Sequence, residues 1–79
     1  MTCRNEILKT VNALVDDRTP KTFHIREVLA SMVANHTQYS IPTIRTYISS
    51  LMCQNAPRQR HGQRYNDFER VGVGRYRLL

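Results

Sequence analysis

Arg45 stands in a run of short hydroxyl-bearing side chains, with Ser40, Thr43, Thr46 and Ser49 around it and Pro42 close before it. A guanidinium carries five N–H donors in a flat fork, which fits two phosphate oxygens or the O6 and N7 edge of a guanine. Small hydroxyl side chains can donate to the same acceptors and let a backbone come close to them. A denser basic group follows at Arg58, Arg60, His61 and Arg64, interleaved with Gln59, Gly62, Gln63 and Tyr65, and a third at Arg75 and Arg77. Residues of these types suit recognition of a polyanion. Ser40, Pro42, Thr43, Arg45, Thr46 and Ser49 would meet edges or phosphates, and Arg58, Arg60 and Arg64 would lie along a charged backbone. Arg75 and Arg77 either join them or form the wet face of a hairpin.

Other chemistries find no support in the residue pattern. The six acids are scattered, with no cluster for magnesium, and there is no phosphate-cradling glycine loop. No Cys/His or Ser/His/Asp set has a supporting motif, so neither a catalytic residue nor a cofactor is expected. Cys3 and Cys53 show no ligand spacing with His24, His36 or His61, so no metal site is expected either. Two cysteines are too few for a disulfide framework and read as free thiols in a reducing, cytoplasmic setting. Residues 1–15 mix charged and apolar groups without a long apolar run, and no stretch nears the ~18 apolar residues of a membrane span.

Charge distribution sharpens the expectation. The 79 residues carry a net charge of +6, and ten of the twelve basic residues are arginine. Residues 1–39 hold five basic groups against four acids, a net of +1; residues 40–79 hold seven arginines against Asp67 and Glu69, a net of +5. Such asymmetry favours a polyanionic partner over simple solubility.

The elements that must position these groups follow from apolar periodicity. Ile7, Leu8, Val11, Leu14 and Val15 predict a helix over 3–16, with Thr2 as its cap. Thr22-Phe23-His24 reads as a minor strand with nothing adjacent in sequence to pair with. Ile25, Val28, Leu29, Met32 and Val33 predict a second helix over 25–36, and Asn35–Gln38 a turn. Ser40 as cap and Pro42 in the first turn open a third helix over 40–54, with Ile44, Tyr47, Ile48, Leu51 and Met52 inward. Asn55-Ala56-Pro57 stops it. Two strands, 65–71 and 75–79, join at Gly72-Val73-Gly74, whose glycines permit the positive φ of a tight hairpin. Tyr47, Tyr76 and Cys53 are expected inside. The expected fold is α+β: one domain, residues 1–79, with three helices, a short strand and a C-terminal hairpin. Two helices joined by a short turn suit a helix-turn-helix, and the hairpin beside it is the wing.

In this order of elements the chain resembles the winged helix-turn-helix superfamily over essentially its whole length. More narrowly it is similar to small winged-helix domains that are attached to restriction-type endonucleases or stand alone. The resemblance is carried by Phe23, Glu27-Val28-Leu29, Ile44-Arg45-Thr46-Tyr47-Ile48, the run from Met52 to Pro57, and above all the closing run from Asp67 to Leu78. It implies double-stranded DNA as partner, with the third helix in the major groove, in a transcription regulator or DNA-targeting module of the nucleoid. A second copy of the chain, or a fused or partner nuclease, is the further partner expected. The alternative is a winged-helix domain that docks a protein without touching DNA.

Overall fold

A computed structural model of the chain describes residues 2–54 and 65–79. Helix α1 (Cys3–Val15) starts where the Thr2 side chain accepts the Asn5 N–H, and its inward face is Cys3, Ile7, Val11 and Val15. Strand β1 (Thr22–His24) runs directly into helix α2 (Ile25–Ala34), and helix α3 (Ile41–Thr46) follows. Strands β2 (Phe68–Gly72) and β3 (Arg75–Leu78) form the hairpin.

The three strands make one antiparallel sheet of order β1-β3-β2. Thr22-Phe23-His24 does have a partner: it pairs with Arg77, Tyr76 and Arg75 of the last strand. That register puts Phe23 opposite Tyr76, and Phe23 also meets Phe68 edge-on at 5.0 Å between ring centres. The three rings are buried and close the sheet against the helices. Helix faces supply Ile7, Val11, Val28, Met32, Ile44 and Ile48 beneath them, each at most 1% exposed. Burial of each such side chain stabilises the fold by roughly 1.5–3 kcal/mol.

Helix α2 is closed by side chains at its start and by backbone hydrogen bonds at its end. At its start His24 is the N-cap: its Nδ1 accepts the Arg26 N–H at 3.1 Å, and Glu27 reaches back to accept the His24 N–H at 2.8 Å. The same Glu27 carboxylate takes both terminal nitrogens of Arg18, at 3.1 and 2.7 Å, fixing the preceding loop. The helix ends at Ala34, two residues earlier than its periodicity predicts. His36 takes φ +58°, its N–H reaches Val33 O, and the Thr37 N–H reaches Met32 O. This is a Schellman closure with histidine in the place glycine usually fills.

The third helix is not one continuous α-helix over 40–54. It is α-helical from Ile41 to Thr46 and widens into a π-helical turn at Tyr47–Leu51, where the Met52 N–H reaches Tyr47 O. Residues four apart drift by about 40° around an α-helix. Ile44, Ile48 and Met52 are spaced by four and all fully buried, and the wider turn offsets the drift. Beyond it, Met52 O accepts the N–H groups of Asp67 and Phe68, and the Gln54 N–H reaches Phe68 O. The end of the helix is thus fastened to the start of β2. Arg4 clamps the same point, with two 2.9 Å bonds to Asp67 and its guanidinium 4.0 Å from the Tyr65 ring centre.

The hairpin starts at Phe68, three residues later than its sequence pattern predicts. A bulge between Arg70 and Gly72 carries β2 on to Gly72, which pairs with Arg75. Only Gly74, at φ +66°, uses the positive φ expected of both glycines.

Candidate nucleic-acid interface

Ser40, Pro42, Thr43, Arg45, Thr46 and Ser49 are all exposed, while Ile44 and Ile48 between them are at zero exposure. Helical spacing puts Pro42, Arg45, Thr46 and Ser49 on one ridge. The hydroxyls of this surface are not idle. Ser40 caps the helix, accepting the Thr43 N–H at 3.4 Å, and its Oγ lies 2.9 Å from Thr43 Oγ1. Thr46 Oγ1 donates to Pro42 O at 2.9 Å and Ser49 Oγ to Arg45 O at 2.7 Å. Thr46 and Ser49 therefore spend their protons on the helix and show outward only lone pairs and carbon. This corrects the expectation that Thr46 donates outward.

Beside the ridge lies an open groove of about 510 Å³. Arg45 and Ser49 form one wall, His24, Ile25 and Arg26 at the start of α2 another, and Val73, Gly74 and Tyr76 of the hairpin the third. No acid lines it. The hairpin turn is tied to α2 by a 2.8 Å bond from the Ile25 N–H to Gly74 O. The His24 ring lies so close over Gly74 that a Cβ there would fall 2.9 Å from two ring atoms. Val73 at the tip is 86% exposed.

Ion pairing sorts the arginines of the described residues. Arg4 is engaged by Asp67, Arg18 by Glu27 and Arg77 by Glu69. Each of the first two carboxylates raises its arginine's pKa through the hydrogen bond, and Arg18 pulls Glu27 down to about 2. Burial pushes the Tyr76 phenol up. Arg26, Arg45 and Arg75 have no side-chain partner among the described residues.

Sequence-expected site residues divide accordingly. The structure brings Arg45 and Ser49 together with the hairpin turn. Arg75 and Arg77 lie on the opposite face of the sheet from Tyr76, because neighbours in a strand alternate. Arg75 lines a different depression there, with Arg18, Thr22 and Glu27. Arg58, Arg60 and Arg64 lie outside the described residues. Sequence reasoning missed Arg26, His24 and Val73. Arg26 left one signal: it is the sole basic residue of α2, at an exposed position of its first turn.

Among the described residues no group of three or more His, Cys, Asp or Glu side chains could hold a metal ion. No helix among them is long and apolar enough to cross a membrane.

Fold and groove together define a small α+β domain with three helices, a three-stranded antiparallel sheet and an acid-free basic groove between helices and hairpin. The chain belongs to the family described as a domain of unknown function (DUF7669), whose model matches residues 5–78. No curated protein and no solved structure matches it.

Proposed function

We propose that this chain is a winged-helix domain that binds double-stranded DNA. In this reading α3 enters the major groove, while the start of α2 and the hairpin tip meet the flanking backbone. The order helix, strand, helix, helix, hairpin supports it, as does the seat of the last strand between the other two. One observation carries it: Arg26 and Arg45, from different helices and without a side-chain partner among the described residues, line one groove with no acid among its described lining residues, whereas Arg4, Arg18 and Arg77 are neutralised locally. Unpaired guanidiniums facing one space leave a local positive potential that phosphates relieve by releasing counterions. The reading assigns the chain a binding role and no catalytic step.

The test is fluorescence anisotropy of a labelled duplex titrated with salt. Arg26, Arg45 and the arginines at 58, 60 and 64, each neutralising one phosphate, give a slope of log K against log salt of roughly −4 to −5. Arg26→Ala and Arg45→Ala each flatten the slope by about 1. Arg77→Ala, which removes a charge already matched by Glu69, leaves it unchanged. No binding in dilute salt, or slopes indifferent to Arg26 and Arg45, overturns the proposal.

A further inference from the structure

A second depression lies on the other flank of the α3 ridge, lined by Pro42, Thr43, Thr46 and Tyr47. It is shallow, open and about 270 Å³ in volume, and its walls are mostly carbon. That is unusual for an exposed surface built from two threonines and a tyrosine, and the hydrogen bonds explain it. Thr46 turns its hydroxyl to Pro42 O at 2.9 Å, and Thr43 holds its own against the Ser40 cap at 2.9 Å. With both oxygens engaged by the helix, the threonine methyls carry the outward surface. Pro42 adds ring carbon and has no N–H to offer.

We propose that this depression receives the 5-methyl group of a pyrimidine displayed in the major groove. The inference rests on the duplex-binding reading and names the base feature that the same helix selects. Three observations commit it to this occupant. The depression lies below the roughly 300–1,000 Å³ of small-molecule pockets yet is ample for a methyl on a base edge. A pyrimidine 5-methyl is the one apolar group that the major-groove edge of DNA offers, and threonine methyls are among its recognised contacts. The surface around it suits no other polymer so well: α3 carries no acid, and Arg45, without a side-chain partner among the described residues, is next to Thr46 and two residues from Thr43. Thymine and 5-methylcytosine share this chemistry.

The experiment uses the intact chain. Duplexes are selected on it from a random pool, then resynthesised with deoxyuridine for every thymidine, or with 5-methylcytosine for every cytosine. Dissociation constants are compared by anisotropy. Loss of one seated methyl weakens binding about fourfold, the factor equivalent to about 0.8 kcal/mol for one buried methyl-sized group. A response in the deoxyuridine arm identifies thymine, and tighter binding in the other arm identifies 5-methylcytosine. The double variant T43S/T46S keeps both hydroxyls and removes both methyls, and it abolishes the ratio. Equal affinities in both arms overturn the proposal while leaving duplex binding intact, as does a ratio that survives T43S/T46S. Absence of any duplex binding by the wild-type chain removes this proposal together with the reading beneath it.

Discussion

Gly74→Ala tests whether the hairpin is locked to α2 in the way the groove requires. Gly74 sits at φ +66°, and an added Cβ would lie 2.9 Å from Cε1 and Nε2 of His24. Two costs follow. Holding an L-residue in the left-handed region costs about 1–2 kcal/mol. Relief of the contact must come from the imidazole, because the other side of the approach is backbone bonded to the Ile25 N–H. His24 is the N-cap of α2, and a displaced cap costs about 1 kcal/mol more. The sum is about 2–3 kcal/mol, which lowers Tm by roughly 8–24 °C in a domain of this size. Circular dichroism melts of wild type, G74A, H24S and the double variant form a cycle that separates the two costs. Serine at 24 still caps the helix but has no ring to collide with. In that background G74A costs only its backbone share, giving a coupling of about 1 kcal/mol. Strict additivity would falsify the ring contact, and a loss below about 0.5 kcal/mol would refute the left-handed backbone at Gly74 itself.

Two further perturbations probe the frame. Glu27 sits at about 2 in the folded chain against an ordinary 4.5, mainly through Arg18, so it stabilises the fold above pH 4.5 and ceases to as pH falls toward 2. Glu27 is 37% exposed, and solvent screening reduces the effect to about 1 kcal/mol; denaturant titrations of wild type and E27Q should differ by that much at pH 7 and converge near pH 2. His36→Gly relieves a side chain held at φ +58° in the Schellman closure of α2 and should raise stability by about 0.5–1 kcal/mol in the same assay, with duplex affinity unchanged.

Much of the frame was legible because the helices announce themselves by their buried stripes. Exposed positions of α3 and of the π turn after it are the complement of Ile44 and Ile48, so the surface of Thr43, Arg45, Thr46 and Ser49 could be read directly from spacing. What spacing hides is tertiary. Strand β1 is three residues long and its partner lies some fifty residues on; only Phe23 facing Tyr76 records the match. The π turn left a trace in the four-residue spacing of Ile44, Ile48 and Met52, but a plain helix buries the same residues with slightly more drift. Nor does a sequence say which of two glycines takes the positive φ. The bulge at Val71 settles that here, by keeping Gly72 in the ladder and passing the turn to Val73 and Gly74.

Charge poses the deeper difficulty, because a surplus and a site are different things. The C-terminal half holds a net +5, yet Arg77 in that half is neutralised by Glu69 across the hairpin. Arg26 belongs to the nearly neutral half and still lines the groove, with no side-chain partner among the described residues. Exposed ion pairs contribute little stability, at most about 1 kcal/mol each. Their consequence here is to remove Arg4, Arg18 and Arg77 from the pool of guanidiniums able to meet a polyanion. Arg26 and Arg45 stay outside these pairs and line the same groove where α2, α3 and the hairpin converge. A chain with the same twelve basic residues and the acids moved beside Arg26 and Arg45 would keep its net charge and lose the groove, so duplex affinity should follow local pairing and not the overall +6.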